Sequence, residues 1–198
     1  MTRKLLIAVF LVLLFIVPLS VSAGGCPVAT TISNVSASLT YLENRVDMKG
    51  GTDASCVTKT LQSLRAFPSE RAVIVLTKYL GFPRPPKNGE AKGFFSHAPT
   101  PIDIYPAVAS LIANGKAAAP SMFDVIRHSE SEAVRTNAAE VLSRVYRSSP
   151  EDVITLLLHY AKSANEPERG RLTEAVKIVQ LHCSERPAQC DAALRAGR

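Results

Sequence analysis

Four cysteines and four histidines are the residues of this 198-residue chain that most readily take part in chemistry. Thiolates and imidazoles bind metals and act as nucleophiles or bases, but a local metal site needs two ligands three or four residues apart on one helix. The histidines are scattered and show no such pair: His97, His128, His159 and His182. The sequence therefore predicts no metal ligand and no catalytic histidine.

Motifs that position catalytic or cofactor-binding groups are also missing. The chain has no Gly-x-Ser-x-Gly turn, no glycine-rich phosphate loop, no dinucleotide fingerprint and no His-Glu-x-x-His helix. We therefore predict no cofactor and name no catalytic residue. An enzyme without a recognised motif stays an alternative.

The first 23 residues have the pattern of an export signal. Two basic residues precede an apolar run, 5–17, which Pro18 ends, and small or modest side chains occupy 21–23. The run is shorter than the roughly 20 apolar residues that a membrane span needs. We expect cleavage after Ala23 and a secreted or periplasmic protein.

Export changes the interpretation of the cysteines: Cys26, Cys56, Cys183 and Cys190. An even number of cysteines in an oxidising compartment predicts disulfides, and four cysteines allow three pairings. Proximity in the sequence favours one bond within the first pair and one within the second, each closing one end of the chain.

Cys26 has a second interpretation. The segment Ala23-Gly24-Gly25-Cys26 is similar to a bacterial lipoprotein cleavage box, with Ala where Leu is usual three residues before the cysteine. Cleavage before Cys26 gives a protein tethered to a membrane through a lipid, whereas cleavage after Ala23 gives a free one. Lipidation of Cys26 is the one route by which we expect a membrane partner.

The charge balance argues against nucleic acid as a partner. The signal segment holds two of the 23 basic residues and none of the 17 acidic ones, so its removal lowers the net charge from +6 to +4. The remaining basic residues form no run, and the chain has no Trp for stacking bases. Four arginines, Arg127, Arg135, Arg144 and Arg147, either line a basic groove or form the solvated face of helices, and we favour the solvated face.

Apolar residues recur at three- and four-residue spacings through most of the chain. This pattern predicts an all-α fold. We expect one helical domain, 24–198, with N-terminal helices at 24–81, a loop at 82–103 and a helix stack at 104–198. The helix at 150–164 is apolar on most sides, so we expect neighbours on two of its sides.

Proline and glycine set the expected helix ends. The spacing predicts a helix from Pro68 or Ser69 to Gly81, and Thr52 or Asp53 as the cap of the helix before it. Later helices are predicted at 104–114, 121–128, 132–147, 150–164 and 167–183, with a short one from Pro187. Charges of both signs at 166–177 predict local ion pairs on a solvated face.

The loop at 82–103 contains five prolines and two glycines, which prevent a regular helix. Its aromatic tip carries Phe94, Phe95 and His97. These residues either dock a partner or ligand or fold back over the end of the helix stack, and we favour the second because adjacent exposed Phe residues are a liability. Loops of this length are often functional, so a lid over a pocket stays an alternative.

Residues Ala133–Leu142, AVRTNAAEVL, resemble the second helix of a HEAT-type (armadillo-type) repeat. The segments at 106–115 and 120–126 are similar to the helices that precede it in such repeats. The resemblance implies a short α-solenoid of stacked antiparallel helix hairpins, which buries each helix face against the next hairpin. It also implies a protein–protein interaction or scaffold module, because repeat stacks work through extended surfaces.

A weaker echo of the repeat lies at 171–179, offset by 36 residues when Arg135 is matched with Arg171. HEAT-like repeats usually carry Asp six residues before this arginine and form a ladder of charged pairs between units. Ser129 occupies that position here, with Glu130 beside it. The sequence therefore does not predict the ladder.

Overall fold

The computed structural model describes residues 25–46, 53–86 and 99–197. Every regular element in these ranges is a helix, so the predicted all-α fold is confirmed. The export signal with its cleavage site and the loop tip lie outside the described residues, including Ala23, Phe94, Phe95 and His97. Among the described helices, none is long and apolar enough to cross a membrane.

In the part of the chain that the structure describes, three α-helices precede the loop: α1 (Ile32–Glu43), α2 (Ala54–Ser63) and α3 (Glu70–Thr77). Asp53 is the N-cap of α2, because its carboxylate accepts hydrogen bonds from the backbone N–H groups of Ser55 and Cys56. Ser69 caps α3 in the same way through the N–H of Ala72. These caps supply acceptors for N–H groups that have no partner within their helix.

Seven helices follow the loop: α4 (Pro101–Ile104), α5 (Pro106–Ala113), α6 (Ala119–His128), α7 (Glu132–Val145), α8 (Pro150–Ser163), α9 (Glu168–Gln180) and α10 (Pro187–Gly197). Five of them, α4, α5, α6, α8 and α10, have proline in their first turn. Proline fits there because the first N–H groups of a helix need no intrahelical acceptor.

Two predicted boundaries are wrong at the loop. The last residues of the predicted loop form α4, and Tyr105 interrupts the helix expected at 104–114. The N–H of Arg84 donates to the carbonyl of Ile104 at 2.8 Å, so the described ends of the loop lie together. The helix expected to reach Gly81 ends as α3 at Thr77 and continues as turns.

One apolar core joins the helices on both sides of the loop. Its largest fully buried side chains come from nearly every helix: Leu42, Leu61, Leu64, Leu76, Leu80, Leu111, Met122, Ile126, Leu142, Ile154, Leu157 and Leu172. A buried hydrogen bond crosses this core, because the Asn137 side chain donates to the carbonyl of Leu80 at 2.6 Å. The bond satisfies a carbonyl that the end of α3 leaves without a helical partner.

Several of the later helices pack against the helix that is next to them in the sequence. α6 lies against α7, α8 lies against α9, and α9 also contacts both α6 and α7. α5 connects α7 with α2 and α3. α8 is flanked by α9 and α10, as its apolar pattern predicts, although Leu156 and Tyr160 remain 38% and 37% exposed.

Two disulfides staple the ends of the described chain, as expected: Cys26–Cys56 and Cys183–Cys190. The first bond ties the segment before α1 to α2, and the second closes the turn between α9 and α10. The pairing is the one that sequence proximity favours. A lipid thioether on Cys26 and the bond to Cys56 need the same sulfur atom, so the two states exclude each other.

Removing each disulfide in turn tests how much each one contributes to the free energy of unfolding. We expect Cys26→Ala/Cys56→Ala to lower the free energy of unfolding by roughly 3.5 kcal/mol and Cys183→Ala/Cys190→Ala by roughly 2.5 kcal/mol, because the bonds close loops of different length. The sequence separations are 30 and 7 residues. Urea unfolding of both double variants measures the difference, and a larger loss for the second pair contradicts this account.

Exposed ion pairs hold the ends of α1 and α7. The guanidinium of Arg71 on α3 binds both carboxylate oxygens of Glu43 at 3.0 and 2.7 Å, and Arg147 binds Glu185 at 2.7 Å. The hydrogen bond from Arg71 holds the pKa of Glu43 below its ordinary value, and the bond from Arg147 does the same to the pKa of Glu185. Both carboxylates bind a proton less tightly in the folded chain than in the unfolded one.

Acid should therefore weaken the fold through these two groups. A carboxylate with a lowered pKa contributes stability above its ordinary pKa, and this contribution is lost as the pH falls through the folded value. We expect Glu43→Gln/Glu185→Gln to lose less stability than the parent chain between about pH 6 and about pH 3, measured as urea midpoints. Arg71→Gln/Arg147→Gln should reduce the dependence of the urea midpoint on pH to the same extent. If either double variant keeps the parent's pH dependence, these two ion pairs are not its cause.

Candidate functional site

Three arginine–glutamate pairs join the α6–α7 hairpin to α9, and we call them the arginine seam: Arg127–Glu168, Arg135–Glu174 and Arg171–Glu130. The first two arginines lie on α6 and α7 and reach glutamates on α9. The third lies on α9 and reaches back to the turn between α6 and α7. The seam therefore holds α9 against α6 and α7 through arginines that lie on both sides of the contact.

The seam also supplies hydrogen-bond donors to the backbone carbonyls at the end of α6. Arg171 donates to the carbonyl of Arg127 at 2.9 Å, and Arg135 donates to the carbonyls of Ser129 and Glu130 at 3.1 and 3.0 Å. The last carbonyls of a helix lack intrahelical donors and carry partial negative charge, so cationic donors are favoured there. The side chains of Arg171 and Arg135 are 13% and 15% exposed, which shields these bonds from water.

The four arginines at the α6–α7 hairpin do not form a free basic groove. Each one binds a different glutamate: Arg127–Glu168, Arg135–Glu174, Arg144–Glu140 and Arg147–Glu185. The prediction of local pairs is wrong for Arg171 and Glu174, which pair across helices rather than within their own. Tertiary packing brought together charges that the sequence places far apart.

An open cleft of about 400 Å³ lies beside the seam, and we call it the aromatic cleft. It is lined by Lys116, Ala119, Pro120, Phe123, Asp124, Arg127, Tyr146 and Tyr160. These residues come from the turn before α6, from α6 itself, from the turn after α7 and from the end of α8. The cleft therefore exists only when both hairpins are in place.

Aromatic rings form the walls of the cleft. The ring centroids of Phe123 and Tyr160 are 5.8 Å apart and their planes are tilted by 53°, a favourable arrangement for an aromatic pair. Tyr160 lies near the end of α8 and is 37% exposed. Tyr146 adds a third ring directly after α7.

A cation lies over each of two rings. The Nζ of Lys116 is 5.1 Å from the centre of the Tyr146 ring, and the guanidinium carbon of Arg127 is 5.6 Å from the centre of the Tyr160 ring. Such cation–π contacts are worth about 0.5 to 1 kcal/mol at exposed positions. They orient both the cations and the rings toward the same cleft.

The two ends of the cleft differ in charge balance. At one end, the hydrogen bond to Glu168 raises the pKa of the Arg127 guanidinium, and Asp124 adds a smaller attraction. Asp124 itself contacts His128 at 3.0 Å. At the other end, Lys116 forms no ion pair with any described residue. The Lys116 end therefore carries the uncompensated positive charge.

The chemistry that this lining supports is recognition. The residues that line the cleft include no serine, cysteine or histidine. What it offers is planar apolar surface beside positive charge, which suits the binding of a flat, negatively charged group.

The other candidate residues are accounted for by structural roles. Within the described ranges, one group of side chains is close enough together to ligate a metal, namely Cys26, Asp53 and Cys56. Both of its sulfur atoms are in a disulfide, and its carboxylate caps α2. His182 contacts the buried Glu140 at 3.1 Å. The loop residues Phe94, Phe95 and His97 lie outside the described residues, so their docking role stays a prediction.

Comparison with models of protein families, with curated proteins and with solved structures finds no match for this chain. Its function must therefore be inferred from its own residues.

Sequence patterns did not reveal the aromatic cleft. Phe123, Tyr146 and Tyr160 lie on three separate elements, and each alone looks like a helix residue that helps to fill a core. One signal was present: Tyr160 and Leu156 belong to a helix with more apolar surface than two neighbours cover. Apolar surface in excess of the available packing partners is the feature that marks such a site before its geometry is known.

Arg171 tests the seam. We expect Arg171→Ala to lower the free energy of unfolding by about 2 kcal/mol, because it removes a charged donor and leaves the carbonyl of Arg127 unsatisfied. Lys177→Ala is the matched control, since Lys177 is an exposed cation on the same helix. Urea unfolding of the two variants should show a clearly larger loss for Arg171→Ala, and equal losses would refute a structural role for the seam.

Proposed function

We propose that this chain is an exported HEAT-like helical repeat module that binds another protein. The observation that carries the proposal is the aromatic cleft, which places three rings and two cations on one open face of the helix stack. Aromatic residues and arginine are enriched where proteins bind each other, because they combine a large apolar area with a polar edge.

The arginine seam supports the HEAT-like part of the proposal. Arg135 and Arg171, matched at an offset of 36 residues, lie on the second helix of successive hairpins. Both donate to backbone carbonyls at the end of α6 or in the turn after it. A ladder of charged pairs between units is the arrangement that the resemblance implies, and here Glu130 and backbone carbonyls act where an Asp is usual.

The two disulfides support export. Disulfides persist in oxidising compartments and are rare where thiols are kept reduced. Together with the signal pattern at 1–23, they favour a secreted or periplasmic location. In this proposal the partner is a protein of the same compartment rather than a nucleic acid, since the arginines of the α6–α7 hairpin are already bound to glutamates.

A small-ligand binder, or an enzyme of unrecognised type, is the second candidate. The cleft volume of about 400 Å³ falls within the range of about 300 to 1,000 Å³ typical of small-molecule sites. In that case the loop at 82–103, with Phe94, Phe95 and His97, would act as a lid. The open form of the cleft favours the protein partner, because small-molecule sites bury most of their ligand.

Cross-linking and capture of partners in the host's own envelope or medium tests the proposal. We expect a reproducible partner whose capture falls at least about fivefold in Tyr146→Ala/Tyr160→Ala, since central aromatic residues dominate binding energy. Tyr41→Ala is the matched control, because Tyr41 also packs under a cation, Arg45, at 3.8 Å, but lies on α1 outside the cleft.

Circular dichroism of each variant is the control for unchanged helical content. Two results would refute the proposal: no partner captured by the parent chain, or equal capture by the parent chain and by the double cleft variant. Loss of capture in Tyr41→Ala as well would point to general destabilisation and would also count against the cleft.

A further inference from the structure

We infer that the aromatic cleft recognises an acidic–aromatic peptide segment, in which a flat side chain packs between the tyrosines and a neighbouring carboxylate binds Lys116. This inference rests on the proposed function and names the chemistry of the partner. Its basis is the arrangement of charge and aromatic surface within the cleft.

The carboxylate is assigned to the Lys116 end. Lys116 is held over Tyr146 at 5.1 Å and has no ion pair with any described residue. An ammonium group on a flexible stem normally moves freely in water, but here the contact with the Tyr146 ring favours positions on one side of the cleft. A ligand carboxylate placed there gains an ion pair without breaking one.

Arg127 can add a second contact. Its Nε binds Glu168, and among the described residues its two terminal nitrogens have no hydrogen-bond acceptor. The guanidinium lies over Tyr160, which keeps its plane along the wall of the cleft. A second oxygen or a backbone carbonyl of the peptide can accept from these nitrogens.

The flat group is assigned to the space between the rings. Phe123 and Tyr160 form a tilted pair on one wall, and Tyr146 lies at the Lys116 end. An aromatic side chain of the partner gains edge-to-face contacts with such rings beyond its buried area. Apolar aliphatic groups gain the area alone, so the cleft prefers an aromatic residue.

The charge of the cleft limits the partner to a singly charged acidic group. Asp124 and Glu168 lie at the Arg127 end and repel a second negative charge. A phosphate or a nucleic-acid backbone places two or more charges close together and meets this repulsion. A basic peptide meets Lys116 and Arg127 themselves. One carboxylate beside an aromatic ring fits both constraints.

The probe is N-acetyl-Phe-Glu amide, titrated into the ¹⁵N-labelled protein with both disulfides formed. We expect saturable shifts confined to the cleft residues, with a Kd on the order of 1 mM. N-acetyl-Phe-Gln amide, which keeps the shape and loses the charge, should bind about threefold more weakly. N-acetyl-Ala-Glu amide should lose most of the binding, because it lacks the ring.

Substitution of Lys116 tests whether its ammonium group causes the preference for the Phe-Glu probe over the Phe-Gln probe. We expect Lys116→Gln to weaken the Phe-Glu probe about threefold and to remove its advantage over the Phe-Gln probe. Lys59→Gln is the matched control, since Lys59 is an exposed cation on α2 outside the cleft, and should leave both titrations unchanged.

The outcomes separate this inference from the proposed function. Absence of shifts in the cleft, shifts elsewhere, or a preference for Phe-Glu that survives in Lys116→Gln overturns the acidic–aromatic assignment, even if a protein partner is captured through the cleft. Cleft-confined shifts with the expected charge dependence, but no captured protein, uphold the assignment and overturn the protein-binding function instead.

Discussion

The contact between α9 and the α6–α7 hairpin is the constraint on which the rest of the structure depends. α9 has little apolar surface to offer, and its buried residues form a narrow stripe: Leu172, Ala175, Val176 and Val179. The arginine seam complements that stripe with charged donors aimed at backbone carbonyls and carboxylates. A helix of ordinary polarity is thereby held in a defined position against two others.

Every wall of the aromatic cleft depends on that position. Arg127 belongs to both structures: its Nε and carbonyl take part in the seam, while its guanidinium carbon lies over Tyr160 in the cleft. α8 reaches the cleft through α9, which is its main neighbour. The Arg127 side of the cleft is therefore preorganised by electrostatic contacts outside it.

Local signals in the sequence were enough for most of the fold. Pro150 begins a helix and Asp53 caps one, since each acts on the backbone next to it. The disulfides follow from proximity, because short loops are the easiest to close. One boundary failed after Thr77, where turns replace the last residues of the predicted helix and the carbonyl of Leu80 accepts from the distant Asn137 side chain.

The candidate site could not be predicted in the same way. No contact of Arg135 with Ser129 was expected because Ser129 lacks a carboxylate, yet the backbone carbonyl of Ser129 accepts a hydrogen bond from Arg135. The residue type does not indicate whether the backbone carbonyl of that residue accepts a hydrogen bond from a distant side chain. The cleft depends on which faces of three elements meet, and periodicity identifies a face without identifying its neighbour.

The C-terminal helix covers one face of α8. α10 covers α8 and is fixed there by the Cys183–Cys190 bond and by Arg186, which binds Glu151 on α8 and the carbonyl of Ser148. An uncovered terminal helix in a stack offers its apolar face to the next chain and invites end-to-end polymerisation. The Cys183–Cys190 bond helps to keep α10 in place, so the face of α8 that α10 covers stays closed to a second chain.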